Sequence, residues 1–406
     1  MKLLNLEITA HSPLVFPVRK PGEQFRRSAE YIPGATIYGA LGLRLEQLGQ
    51  FNQRLFYAIR CHNAYPAWPD DPWSRPLPRS AEHPKGAESG AFDTLIDRVC
   101  WEQSAPPGMI FSPTDEQGRA WEADSGFHAP PQSGDIRKQR KRSVQQRVYT
   151  RVAINRRRGT AEDQRLFSPL ALSEVSTRQR YEWNTYVDPQ RERSIEQPPF
   201  NSRFLGSAVV PDTPDLTDDL AAISHLGGRI TTGMGNVEVK VSAGKIENGS
   251  DIQKRVTAFT AAFRARAALY AALGGRWVPE GDLFTIDLLS DAILLGQGWL
   301  PTMTLSGAML REAAGLATEP TLLRAFASYG SGGGWNVQWN APKQSEITTQ
   351  MGSVFVFQAP GGLSDADWEH LARLQLNGVG ERRPEGFGQV RICDEFHTEW
   401  MFQGGV

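Results

Sequence analysis

His225-Leu-Gly-Gly-Arg-Ile-Thr-Thr-Gly-Met-Gly-Asn236, followed by the alternating run Val237-Glu-Val-Lys-Val241, is the stretch on which the reading of this chain turns. It has a partner near the C-terminus, Asn377-Gly-Val-Gly-Glu-Arg-Arg-Pro-Glu-Gly-Phe-Gly388, followed by Gln389-Val-Arg-Ile392. Both are a glycine-and-arginine loop that delivers a strand. Glycine permits positive φ and close backbone approach, and arginine's planar fork matches phosphate oxygens. A single such loop reads better as a tight hairpin connection. Two copies imply a duplicated fold with polyanion chemistry, and that points to nucleic acid.

Working outward, Lys2 to Ile8 alternates like a strand, and its Glu7 argues against a leader peptide. Tyr31-Ile-Pro-Gly-Ala-Thr-Ile-Tyr-Gly-Ala-Leu-Gly42 opens a helix over 32–48, with an apolar face through Leu41, Leu45 and Leu48. From Cys61 to Gly134 prolines and polar residues dominate, interrupted by Trp68, Trp73, Trp101 and Trp121, and only 92–101 has helical character. Strand character resumes over 148–154, and 237–241 closes the first half, with 242–250 as a polar linker. Residues 252–273 predict a helix bracing the two halves. After it come a strand over 282–289, a helical region over 304–317 and 321–329, a strand over 354–357 and a helix over 365–376. That order suits a β-α-β-β-α-β unit in each half.

Charge is segregated although the net charge is only −1. Between Ile136 and Arg158 stand ten basic residues and no acid: Arg137, Lys138, Arg140, Lys141, Arg142, Arg147, Arg151, Arg156, Arg157 and Arg158. The block runs into the strand signal at Val152-Ala-Ile154 with Val148 and Tyr149 interleaved, which predicts a structured basic hairpin. A second basic loop, Arg19-Lys-Pro-Gly-Glu-Gln-Phe-Arg-Arg27, precedes the first helix. The chain of 406 residues, 40% hydrophobic with 11 Trp and 19 Phe, can fill two cores. Its apolar runs are too short for a membrane span. Cys61, Cys100 and Cys393 form no close-spaced pair, which fits a reducing cytoplasm.

Together the Tyr31-Ile-Pro-Gly34 phrase and the two glycine loops resemble the RAMP superfamily of CRISPR effector proteins. The segment Arg151-Val-Ala-Ile-Asn-Arg-Arg-Arg-Gly-Thr-Ala-Glu-Asp-Gln-Arg-Leu-Phe167 resembles the RAMP hairpin whose basic tip meets RNA. Gly334-Trp-Asn-Val-Gln-Trp-Asn-Ala-Pro-Lys343 and Gly352-Ser-Val-Phe-Val-Phe357 are similar to the double-RAMP, Cas-five-like subunit of type III-D complexes, the Csx-ten group. The chain departs from the pattern at Tyr38, where many members carry an arginine.

The resemblance implies an α+β chain of two ferredoxin-like (RRM/RAMP) domains with Gly-rich loops. The first domain spans 1–245, with a large insertion at about 60–135 and a basic hairpin at about 136–166; the second spans 252–406. It implies a non-catalytic subunit holding the 5′ tag of a guide RNA (crRNA), beside other RAMP backbone subunits and a large cyclase-like subunit, away from any membrane. Expected RNA contacts come from Arg137, Lys138, Arg140, Lys141, Arg142, Arg151, Arg156, Arg157 and Arg158. The first loop adds Gly227, Gly228, Arg229, Thr232, Gly233 and Gly235. The second adds Gly378, Gly380, Arg382, Arg383, Gly386, Phe387 and Gly388, with Glu381 and Glu385 as partners for the loop arginines; Phe387, Trp335 and Trp339 offer stacking faces, against a competing reading as core residues that is the stronger one for both tryptophans.

For chemistry the residues offer little. None of the seven histidines (His11, His62, His83, His128, His225, His370, His397) pairs with another His or a Cys at metal-ligand spacing, so neither metal nor cofactor is expected. His11 is the candidate for a guide-processing ribonuclease. The target-cutting reading wants an aspartate in the 17–30 loop, which has only Glu23 and Glu30. Two alternatives stay open: a RAMP endoribonuclease, and a protein-interaction scaffold without direct RNA contact.

Overall fold

A computed structural model of the chain describes every residue except 19–27, 86–90, 106–109, 115–117, 131–140, 156, 159, 178, 184–191, 197, 273, 334, 337–340 and 402–406. The fold is mixed α+β, in two compact units: residues 1–74 with 142–244, and residues 75–141 with 245–406.

The first unit is built on the strand Lys2–Ala10, where Leu4, Leu6, Ile8 and Ala10 alternate into the core. It pairs antiparallel with Arg203–Val210 on one side and Val237–Ala243 on the other, and Arg60–Cys61 and Tyr65–Ala67 extend the sheet beyond Arg203–Val210. Helix Gly34–Gln47 buries Ile37, Leu41 and Leu45, one residue per turn. Its first residue is glycine for a steric reason: a Cβ at Gly34 would lie 2.0 Å from the Cys61 carbonyl oxygen. Tyr38 stacks on Phe56 at 3.9 Å between ring centroids and donates its hydroxyl to the Phe56 carbonyl, so this position serves packing. Helix Thr217–Ala221 precedes the last strand, completing the order strand–helix–strand–strand–helix–strand.

The second unit repeats that order. Its sheet runs Thr321–Phe326, Val354–Ala359, Asp282–Leu288, Val390–Ile392, all antiparallel, with helices Gly307–Ala314 and Asp365–Asn377 in the connections. The sequence expectation of helical structure over 321–329 is corrected here. Thr321–Phe326 lies along Val354–Ala359 with a bulge between Leu322 and Arg324, because the sheet requires an edge strand there and Thr-Leu-Leu-Arg-Ala-Phe satisfies either periodicity. Asp365–Asn377 begins with a capping box between Ser364 and Asp367. The long helix Gly249–Ala272 buries Ile252, Val256, Phe259, Phe263, Ala267 and Tyr270 in this unit's core.

Residues 75–141, read from sequence as most of the insertion at about 60–135 and the start of the basic hairpin in the first half, group with the second unit. Helix Leu95–Ser104 sends Leu95, Ile96, Val99 and Cys100 into the same core as Gly249–Ala272. The Arg79 N–H donates to the Gly352 carbonyl at 2.7 Å, and Arg75 bridges Asp394 and Glu395, both at 2.9 Å. Sequence order therefore misstates which core this segment completes. At the centre of that core His397 is wholly buried. Its Nδ1 lies 2.7 Å from Asp93 Oδ2 and its Nε2 2.6 Å from Asp287 Oδ1. No described helix is long and apolar enough to cross a membrane.

Candidate nucleic-acid interface

The two glycine loops, loop 1 (His225–Asn236) and loop 2 (Asn377–Gly388), share one backbone design residue by residue. Gly227 corresponds to Gly380, Arg229 to Arg382, Thr232 to Glu385, Gly233 to Gly386, Met234 to Phe387 and Gly235 to Gly388. At the arginines φ is 63° and 52°, left-handed in both copies. Each arginine opens a three-residue 3-10 turn (Ile230–Thr232 and Arg383–Glu385), which ends at a left-handed glycine with φ 83° or 90°. A non-glycine residue at positive φ is uncommon and costs on the order of 1–3 kcal/mol. Its recurrence at the same place in both loops marks the arginine position as one the loop geometry imposes.

The hydrogen bonds repeat as well. Within the loops Thr232 N–H donates to Arg229 O at 3.0 Å and Glu385 N–H to Arg382 O at 3.0 Å; Leu226 N–H donates to Gly235 O at 2.8 Å and Val379 N–H to Gly388 O at 2.8 Å. The segment after each unit's first strand holds its loop in the same way. Gly228 donates to Val15 O at 2.9 Å and Gly235 to Pro13 O at 2.9 Å; Glu381 donates to Ile293 O at 3.0 Å and Gly388 to Asp291 O at 2.8 Å. Even the side-chain anchor is shared, since Asn236 N–H donates to Ser12 Oγ and Gln389 N–H to Ser290 Oγ, each at 2.8 Å. Most of the N–H groups of the two loops are thus donated within the chain, which makes each loop a fixed frame for its side chains.

Close approach explains several of the glycines. A Cβ at Gly388 would lie 1.8 Å from Val379 O, one at Gly380 2.2 Å from Ile293 O, and one at Gly235 2.7 Å from Leu226 O; at Gly233 nothing lies within 4 Å. Gly388→Ala is therefore expected to cost about 2 kcal/mol or more, from clash and strain together. Gly233→Ala should cost only about 1–2 kcal/mol, the left-handed penalty. Denaturant unfolding of the two variants checks the order, and a Gly233 variant as damaged as the Gly388 one would contradict this account.

Each unit also carries a β-hairpin arm inserted between its second and third strands. In the first unit Gln146–Val148 pairs with Leu170–Leu172, and Arg151–Asn155 with Thr160–Phe167. In the second, Tyr329–Gly332 pairs with Glu346–Thr349. Leu14 and Leu172 exchange backbone hydrogen bonds at 3.0 and 2.8 Å, and Ala292 and Thr349 do the same at 2.8 Å each. Each arm rests on its loop through the side chain between the last two glycines. Met234 is buried with Val15 and Ala171, and Tyr149 packs against them. In the second unit a Cβ at Gly332 would come within 3.2 Å of the Phe387 ring.

The structure sorts the expected contact residues. Arg157 and Arg158 are exposed in the turn at the tip of the first arm, and Arg151 begins one of its strands. Thr232 and Gly233 are exposed at the crest of loop 1, with Gly227, Gly228 and Arg229 half-buried beside them and Gly235 buried. In loop 2 Arg383 is exposed, while Gly378, Gly386 and Gly388 are buried and Gly380 and Phe387 half-buried. Arg137, Lys138, Arg140, Arg156 and Trp339 lie outside the described residues, and Trp335 stands in the short strand Trp335–Asn336.

One member of the basic block, Arg142, is corrected. Arg142 is 1% exposed and forks onto Asp71, Nε to Oδ2 at 2.7 Å and Nη2 to Oδ1 at 2.6 Å, with its guanidinium 3.8 Å from the Trp68 ring centroid. It is a buried ion pair holding the first unit together and cannot reach a ligand. Its partner is not visible in local sequence, because the pair joins residues far apart along the chain. Lys141 remains exposed and is paired with Asp124.

In loop 2, Arg382 donates Nε and Nη2 to Glu385 at 3.2 and 2.8 Å, and its guanidinium sits 4.9 Å from the Phe387 ring centroid. Lys343, which sequence reading did not single out, donates Nζ to the same carboxylate at 2.6 Å. Burial works to raise the Glu385 carboxyl, but the hydrogen bonds and charges of Arg382 and Lys343 outweigh it and hold the group below its usual range. His11 is exposed at the end of the first strand, 3.4 Å from Glu238. Among the described residues no group of three His, Cys, Asp or Glu is placed to hold a metal ion.

No family model and no curated protein matches the chain. Among solved structures it is similar to a chain of the Type III-B Cmr-beta complex bound to cognate target RNA and AMPPnP, 10% identical, covering 87% of this chain and 86% of that one at a TM-score of 0.42. It is also similar to a chain of the Csm3–Csm4 subcomplex in the type III-A CRISPR-Cas interference complex, 11% identical, covering 89% and 94% at a TM-score of 0.32. These likenesses are too faint to carry an argument, and the functional reading stands on the loops and arms themselves.

Proposed function

We propose that this chain is a non-catalytic, guide-RNA-binding structural subunit of a type III CRISPR–Cas effector complex. In this reading the two strand–helix–strand–strand–helix–strand units are ferredoxin-like RAMP domains. The chain is the Cas-five-like, double-RAMP subunit of the III-D kind: it holds the 5′ tag of the guide and abuts RAMP backbone subunits and the large subunit in the cytoplasm. The observation that carries the reading is the meeting, in the first unit, of a strained arginine-bearing glycine loop with the base of an arm whose turn exposes Arg157 and Arg158. Single-stranded RNA needs that combination: fixed backbone geometry for the sugar-phosphate chain and arginine forks for its charge.

The test is a salt-titrated binding assay on the purified chain with a guide RNA carrying its 5′ repeat-derived tag and the same guide without it, each sample also run on a denaturing gel. Tighter binding of the tagged guide, recovered uncut, is the expected result. Tag-independent binding would remove the tag-holding role, no binding would leave a protein scaffold, and shortened RNA would make the chain a ribonuclease.

A further inference from the structure

The two loops share a backbone but differ in charge at one corresponding position. Loop 1 has Thr232 there and no acid anywhere between Leu226 and Asn236. Loop 2 has Glu385, half-buried between Arg382 and Lys343, its Oε1 accepting from Arg382 Nε and its Oε2 from both Arg382 Nη2 and Lys343 Nζ. A carboxylate offers two oxygens to converging donors much as two oxygens of a phosphodiester do. Arg382, Lys343 and the Phe387 ring beneath the guanidinium form a cationic pocket whose resident anion belongs to the chain itself. A phosphate arriving at loop 2 meets that like charge, and taking its place means breaking partly desolvated ion pairs.

We propose that this single position divides the two copies: in loop 2 the Glu385 carboxylate fills the place between Arg382 and Lys343 that an RNA phosphate would take, whereas loop 1 puts no carboxylate of its own at the corresponding Thr232. The inference rests on the RNA-binding reading above and assigns the task within it. Loop 2 is then a latent phosphate site, closed by one side chain.

The test is a reciprocal exchange in the full chain, Glu385→Thr and Thr232→Glu, with Glu385→Gln as a second variant that keeps the side-chain shape and removes the charge. Binding of a fluorescein-labelled oligouridylate is measured across a salt series, with thermal unfolding of each variant as the folding control. Opening loop 2 with Glu385→Thr should tighten binding roughly threefold to tenfold at low salt and steepen the salt dependence by about one phosphate contact. Glu385→Gln should move both in the same direction, and Thr232→Glu should weaken binding and flatten the dependence. If Glu385→Thr unfolds, Glu385→Gln decides. Unchanged or weaker binding in a folded Glu385 variant overturns the division of tasks while leaving RNA binding intact, and so does a Thr232→Glu chain that binds like wild type. A wild-type chain that binds no oligouridylate removes the RNA reading and this inference with it.

Discussion

Replacing His397 with glutamine is expected to destabilise the second unit by about 3–5 kcal/mol, the usual cost of removing one partner from a buried charge cluster. The imidazole has no exposed surface, and each of its nitrogens faces a carboxylate oxygen, Asp93 on one side and Asp287 on the other. Two acceptors on opposite nitrogens require two N–H groups, so the ring is an imidazolium that donates to both. Burial alone would depress its pKa. The charges and hydrogen bonds of Asp287 and Asp93 overcome that and raise it well above the ordinary histidine value. Glutamine offers its donors from one nitrogen and brings no charge, leaving two carboxylates in a dry core with nothing between them. Asp287 is further committed, accepting from Thr285 Oγ1 at 2.6 Å and from the Asp394 N–H at 3.2 Å, so it cannot turn away without orphaning those donors.

The sign of the pH dependence follows. A histidine whose folded pKa lies above its unfolded value gives its full stabilisation below the unfolded value, about 6.5, and loses it as pH rises through the folded value. Wild-type stability should therefore fall as pH climbs above that point, and His397→Gln should lack this component. Denaturant unfolding at several pH values checks both. A glutamine variant within about 1 kcal/mol of wild type, with the same pH profile, would mean that the cluster contributes little beyond packing.

What sequence could reveal here was what repeats locally. The alternation at Leu4, Leu6 and Ile8, the helical spacing of Leu41, Leu45 and Leu48, and the apolar stripe from Ile252 to Tyr270 each point to an element that the structure contains, although Leu48, at the helix's C-cap, is exposed where Ile37 is buried instead. The loops were legible for the same reason. Gly227, Gly233 and Gly235 share their spacing with Gly380, Gly386 and Gly388, and a backbone that needs positive φ leaves glycine behind as its trace. What escaped was every interaction between residues distant in sequence. Arg142 looks like any member of a basic run until Asp71 and Trp68 close around it. His397 has no local signature at all, because its partners come from the segment at residue 93 and the strand at residue 287. Assignment of residues 75–141 to the second unit fails from sequence on the same ground: Leu95, Ile96 and Val99 announce a helix, but nothing nearby says which core it enters.

Reversing charge at the tip of the first arm, Arg157→Glu with Arg158→Glu, is expected to weaken RNA binding at least tenfold and to lower the salt slope by about 1.4, the loss of two phosphate contacts on a single strand. Both residues are exposed in a turn between strands Arg151–Asn155 and Thr160–Phe167, so the substitution leaves both unit cores untouched. What makes the tip matter is the footing of the arm. Tyr149 at its base packs with Val15, Ala171 and Met234, and Met234 is the residue between Gly233 and Gly235 of loop 1. A strand of RNA lying on loop 1 is thus flanked by an arm whose base position is fixed relative to that loop by a buried contact. On the proposed RNA-binding reading, the charges at its end would act on a held ligand rather than merely raise the encounter rate. Steering alone would slow association and leave dissociation unchanged, whereas a clamp loses most of its effect through faster dissociation. Stopped-flow dissociation of labelled RNA from the double variant separates the two: a faster off-rate is the expected outcome, and an off-rate equal to wild type would reduce the arm to an electrostatic guide.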